Sequence, residues 1–233
     1  MNFVFPPAAQ ASVAVAGSDS RFPVRRIFCV GRNYAAHAIE MGKDPTREAP
    51  FFFSKPADAV VADGEVVTYP PQTENFHYEA ELVVAIGRAG NSISLANALD
   101  HVWGYAVGND LTRRDLQHQA KEMGRPWDSA KGFDRSAVIG PVHPVAKVGH
   151  ISTGRIALKL NGETRQEADI ADMIWSVPEV ISILSQSVAL QAGDLIMTGT
   201  PAGVGLMVPG DICEVSVEGM GEITTKIGPR QAI

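Results

Sequence analysis

Short apolar runs rich in Val and Ile, interrupted every few residues by Gly or Pro, account for most of the chain. Such runs suit strands, because β-branched side chains pack well on a pleated surface and the interrupting residues suit turns. The pattern predicts strands over 26–30, 51–54, 80–86, 102–109, 156–160, 194–197, 212–217 and 222–226. Helical spacing is rarer and predicts helices over 33–41, 95–98, 112–122 and 177–185, the last with Pro178 in its first turn. Asn161-Gly162 reads as a tight hairpin turn, since both residues tolerate positive φ. Strands outnumber helices without regular alternation, which makes the fold class α+β. No repeat, charge block or low-complexity linker divides the chain, so we expect a single domain over 21–233 after an N-terminal extension over 1–20.

Composition narrows this picture. A chain of 233 residues, 45% hydrophobic and 20% charged, has enough apolar surface for a sizeable core. Its net charge of -6 argues against nucleic acid as a partner, and no Lys/Arg run offsets it locally. The first residues lack the cationic start of a secretory signal, and no apolar stretch reaches membrane-spanning length, so no membrane partner and a cytoplasmic location are expected. Cys29 and Cys213 lie far apart in apolar segments and read as two buried thiols.

The segment His77-Tyr78-Glu79-Ala80-Glu81 carries candidate chemistry. On one continuous strand His77, Glu79 and Glu81 would share a face, with the two carboxylates about 7 Å apart at the backbone. An isolated pair of this kind is more often a solvated strand face. A second, apolar strand runs from Gly104 to Asn109 and stops at Asp110, placing a third carboxylate where a buried sheet opens. Three carboxylates without a nearby Cys suit a hard cation, Mg²⁺ or Mn²⁺, better than zinc.

Four other groups of residues have chemical potential and an ordinary alternative. His37 and Glu40, three residues apart, suit a carboxylate-oriented general base, and the same spacing suits a surface ion pair. Lys131 can stabilise an oxyanion or simply be a solvated loop residue. Arg114 and Gln117 can face substrate oxygens or be the outer face of an amphipathic helix. Thr198-Gly199-Thr200-Pro201 offers amides and a hydroxyl for a carboxylate, or just a turn.

Taken together and in order, Cys29-Val30-Gly31-Arg32-Asn33-Tyr34, His37, Glu40, His77-x-Glu79-x-Glu81, Asn109-Asp110-x-Thr112-x-Arg114-Asp115-x-Gln117, Lys131 and Thr198-Gly199-Thr200-Pro201 resemble the fumarylacetoacetate hydrolase family. The resemblance spans about residues 25–226. It implies a β-rich fold of layered sheets, a homodimer, and one Mg²⁺ or Mn²⁺ held by Glu79, Glu81 and Asp110. It also implies water activation by His37 and Glu40, polarisation by Lys131, and a substrate site lined by Arg114, Gln117 and Thr200. The implied reaction is hydrolysis of a C–C bond in an acylpyruvate. Phe22-Pro23-Val24-Arg25-Arg26, the segment 51–60 and Gly124-Arg125-Pro126-Trp127-Asp128 are similar to the family's bacterial branch of aromatic (gentisate) breakdown, which implies cleavage of fumarylpyruvate to fumarate and pyruvate.

The same metal site also serves oxaloacetate decarboxylation and oxo-diacid isomerisation or decarboxylation within the family, and a catalytically silent metal-binding protein is a further alternative. For a substrate charged at both ends, Arg32, Lys55, Arg113 and Arg125 offer distal cations. Lys55, between the strand Phe51-Phe52-Phe53 and Pro56, is the expected one, although a strand-end lysine is more often solvated. The helix over 35–42, next to the polar, Pro-containing loop over 43–50, is expected to act as a mobile lid that orders on substrate binding.

Overall fold

A computed structural model describes residues 2–40 and 48–231. Its centre is an eight-stranded mixed sheet. Seven strands run in the order Phe51–Lys55, Arg26–Gly31, Asp194–Met197, Ala80–Ile86, Val102–Asp110, Ala137–Ile139 and Val60–Val61, and His143–Pro144 pairs separately with Val102–Asp110. Both faces of Ala80–Ile86 are covered, so the strand is an uninterrupted buried run. Leu82, Val84 and Ile86 point into the main core, shared with Leu158, Val215 and Ile223 of a second, five-stranded sheet. Val83 and Ala85 point the other way, into a smaller core with Ile27, Cys29, Leu195 and Met197.

That smaller core is closed by a hairpin, Ser12–Val15 with Ser18–Pro23, which supplies Val13, Val15 and Phe22. The hairpin straddles position 20, the boundary expected between extension and domain. Both cysteines are buried and free.

The strand-rich α+β reading matches this architecture, and the eight expected strands are present with ends shifted by a residue or a few. Asn161 (φ 52°) and Gly162 (φ 81°) make the expected turn between Arg155–Leu160 and Glu163–Asp169. Three expectations change. The expected 33–41 helix is observed as α1, Ala35–Glu40, and the end of the expected lid helix over 41–42 lies outside the described residues. Residues 95–98 belong to a 3₁₀ segment, Leu95–His101. The helix expected from 112 starts two residues later as α2, Arg114–Glu122, because Thr112–Arg113 pairs with Phe76–Tyr78 instead.

Candidate metal and active site

Residues 77–81 are not one strand. Phe76–Tyr78 joins a three-stranded sheet with Thr112–Arg113 and Gly205–Leu206, whereas Ala80–Ile86 enters the large sheet, and Glu79 stands at the break. Its backbone is held there on both sides: its N–H donates to Asn109 Oδ1 (2.9 Å) and its carbonyl accepts from Asp110 N–H (2.9 Å). Glu81 pairs with Gly108, so Glu81 and Asp110 project from the face that carries Val83 and Ala106. The smaller apolar core therefore ends in carboxylates. Ligand oxygens of Glu79, Glu81 and Asp110 lie within 4.8 Å of one another, and all three residues are buried.

Cations surround this cluster. Lys131 Nζ bridges Glu79 Oε2 (2.6 Å) and Asp110 Oδ2 (2.8 Å), and Arg114 pairs with Glu79 Oε1. Burial pushes the Glu79 carboxyl up, but the Lys131 and Arg114 charges together outweigh it and hold the group well below the usual carboxylate range. Burial lowers Lys131 in the same way, and Asp110 and Glu79 reverse the effect, raising it. Glu81 differs. It accepts from Gly199 N–H (2.8 Å) but has no cationic partner within 4 Å among the described residues, and burial with the Asp110 and Glu79 charges raises its pKa well above the carboxylate range. Asp110 Oδ1 lies 2.8 Å from Lys55 Nζ without hydrogen-bond alignment, which leaves that oxygen unsatisfied. A raised Glu81, an unsatisfied Asp110 oxygen and an all-oxygen donor set fit a hard divalent cation, which removes the mutual repulsion of the carboxylates.

The triad opens into a cavity of about 260 Å³ lined also by Arg32, His37, Phe53, Arg114, Gln117, Lys121, Trp127, Lys131 and Thr200. Nine of the ten expected site residues thus meet here, seven on the lining, with Asp110 paired to Lys131 and Glu40 bonded to His37. His37 is buried with Nδ1 3.1 Å from Glu40 Oε2. Burial lowers its pKa, against the raising influence of Glu79 and Glu40. Glu40 is fixed in turn by Gly203 N–H, which donates to both of its carboxylate oxygens (3.0 and 3.1 Å). Arg114 donates to Gln117 Oε1 (2.6 Å), which holds the two polar groups side by side. Lys131 ends a short helix, α3 (Asp128–Lys131), and is not a solvated loop residue.

Lys55 is the exception. Its side chain is fully buried, and its ammonium donates to the carbonyls of Leu111 (3.1 Å) and Lys131 (2.5 Å) beside Asp110. It is not on the cavity wall, and its donors are directed at the protein's own backbone and the Asp110 carboxylate. The expectation that it receives a distal substrate carboxylate is therefore corrected. The amides of the 198–203 loop are likewise directed inward: Gly199 serves Glu81 and Gly203 serves Glu40.

Sequence reasoning missed Gln166, Lys121 and Trp127. Gln166 is buried in a strand whose residues are mostly exposed. It accepts from Ala80 N–H (2.9 Å) and donates to Thr200 Oγ1 (2.8 Å) and the Pro201 carbonyl (2.7 Å), tying the triad strand to the 198–201 loop. A glutamine on a polar edge strand offers no signal of this. Lys121 does, since 114, 117 and 121 are helically spaced.

Comparison with known proteins agrees with this geometry. The family described as fumarylacetoacetate (FAA) hydrolase C-terminal matches residues 26–228. A fumarylpyruvate hydrolase of Ralstonia sp is 45% identical over 188 residues, 81% of this chain and 97% of that protein. The mitochondrial oxaloacetate tautomerase FAHD1 of Homo sapiens is 39% identical over 203 residues, 87% of this chain and 91% of that protein. Among solved structures, fumarylpyruvate hydrolase from Pseudomonas aeruginosa in complex with Mn²⁺ and pyruvate superposes with a TM-score of 0.96 at 54% identity, covering 98% of this chain and all of the other.

Proposed function

The chain belongs to the fumarylacetoacetate hydrolase family, and on that premise we propose that it is a metal-dependent hydrolase cleaving fumarylpyruvate to fumarate and pyruvate. The observation that carries this reading is that Glu79, Glu81, His37 and Lys131 line one cavity, with Asp110 completing the buried triad beside Lys131 and Glu40 bonded to His37. Mg²⁺ or Mn²⁺, held by Glu79, Glu81 and Asp110, would supply Lewis-acid polarisation of the 2-oxo acid end.

The remaining chemistry falls to the chain's own residues. Glu40 orients His37, and burial keeps the imidazole neutral near pH 7, the form that accepts a proton from water. The resulting hydroxide adds to the carbonyl of the fumaryl group. Lys131, which remains charged, stabilises the oxyanion. Collapse breaks the C–C bond: fumarate keeps the hydroxyl oxygen, and the pyruvyl fragment leaves as an enolate. Return of the proton from His37 to the enolate carbon completes the sum of substrate and water to two acids. Arg114, Gln117 and Thr200 position the pyruvyl end.

We further infer a homodimer. Exposed Val66 and Ile212 flank Lys226 across neighbouring strands of the five-stranded sheet, and exposed Leu206 and Val208 lie just before Ile212. No helix among the described residues is long and apolar enough to cross a membrane, and two free buried thiols suit the reducing cytoplasm. Residues 21–233 are proposed as the catalytic domain and 1–20 as its extension. The test of the reaction is release of pyruvate from fumarylpyruvate, acetylpyruvate and oxaloacetate, each offered to purified protein with Mn²⁺. Fumarylpyruvate is expected to give the highest kcat/KM. Pyruvate release from oxaloacetate alone, with loss of CO2, would replace the hydrolase reading with decarboxylation.

A further inference from the structure

A substrate of the proposed reaction carries a carboxylate at each end, so this inference rests on that reading and asks what receives the distal one. Four cations line the cavity. Arg114 and Lys131 are bonded to Glu79, and Lys131 also to Asp110. Among the described residues Arg32 has one loose ion-pair contact, with Glu48 (3.8 Å), and lies over the Phe51 ring. Lys121 has no carboxylate within 4 Å among the described residues, and its ammonium sits 5.1 Å from the centre of the Trp127 ring.

We propose that Lys121 is the specificity residue for a dicarboxylate substrate, receiving the carboxylate remote from the metal end, with Arg32 reinforcing the positive field. Position supports this. Arg114, Gln117 and Lys121 fall on one face of α2, and Lys121 stands about 10 Å further along the helix axis than Arg114, which touches the triad. The helix thus runs from a buried start at the triad to an exposed end at Lys121. Phe53 and Trp127, with ring centres 5.6 Å apart, line the same cavity and give an aromatic wall for an unsaturated carbon chain between the two charged ends. Charge supports it as well. Partial burial and the Arg114 charge bring the Lys121 pKa down to about 8, with Arg32 and Lys131 adding to the repulsion and Glu79 opposing it. A bound carboxylate relieves that repulsion.

The test uses the Mn²⁺-loaded full chain, with Lys121→Met and Lys121→Arg. Loss of one charge-assisted contact predicts that Lys121→Met loses about 10- to 100-fold more kcat/KM on fumarylpyruvate than on acetylpyruvate, mainly through KM, and that Lys121→Arg restores most of it. Equal loss on both substrates, or none, overturns the proposal. A second arm measures equilibrium binding of 2-oxoadipate and 2-oxohexanoate, inert ligands of the same length that differ in the distal charge. Wild-type protein should prefer 2-oxoadipate, and Lys121→Met should abolish the preference. That preference in a protein that cleaves no acylpyruvate would sink the reaction and leave the site standing. Cleavage without any such preference would sink the site alone.

Discussion

At the residue scale, the contrast between Lys55 and Lys121 shows why residue type and neighbourhood do not assign roles. Both are lysines near aromatic residues and near the motifs. Lys55 is opposite Ile27 in the large sheet, and that register carries its ammonium to the Leu111 and Lys131 carbonyls and to Asp110. Lys55→Met therefore strips a donor from two buried carbonyls and leaves Asp110 short of a cation. We expect it to destabilise the fold by about 3–5 kcal/mol, read from denaturant unfolding. We also expect it to impair fumarylpyruvate and acetylpyruvate cleavage alike. Selective loss on fumarylpyruvate would return the distal carboxylate to Lys55.

At the scale of elements, the His37–Glu40 pair proposed to activate water depends on a loop far away in sequence. The described part of α1 ends at Glu40, whose carboxylate is anchored by Gly203 N–H. Gly203 has φ 97°, and a Cβ there would lie 2.0 Å from the Arg165 carbonyl oxygen. Gly203→Ala must shift the loop, at a cost of more than about 1 kcal/mol, and remove the anchor of Glu40. The expected outcome is a lower Tm together with a fall in kcat, while Mn²⁺ content, measured by elemental analysis, is retained. Wild-type kcat in a correctly folded variant would show that Glu40 needs no such anchor. Gly199 works similarly for Glu81, its φ of 98° aiming an amide at the carboxylate.

At the scale of the whole molecule, the two larger sheets enclose the main core and leave the site at the margin of the smaller one. The outer face of the five-stranded sheet keeps Val66 and Ile212 exposed around Lys226. Light scattering should give twice the 24.9 kDa chain mass, and Ile212→Glu should shift it toward the single-chain mass. A wild-type mass of one chain would refute the dimer.

The sequence by itself determined the strand-rich class, the Asn161-Gly162 turn and the two thiols, since each follows from local pattern or from residues close along the chain; the three carboxylates were legible only through the family resemblance. It also brought His37 to Glu40 and Arg114 to Gln117, because helical spacing is a local property. Only the tertiary structure decided the rest. The strand break at Glu79 depends on two sheets competing for residues 76–86, and the inward use of Lys55 depends on its pairing with the 26–31 strand. The role of Gln166 requires a polar edge strand to reach a loop more than thirty residues away. Such facts arise from register and long-range pairing. A shift of one residue turns a side chain to the other face without changing anything in the pattern along the chain.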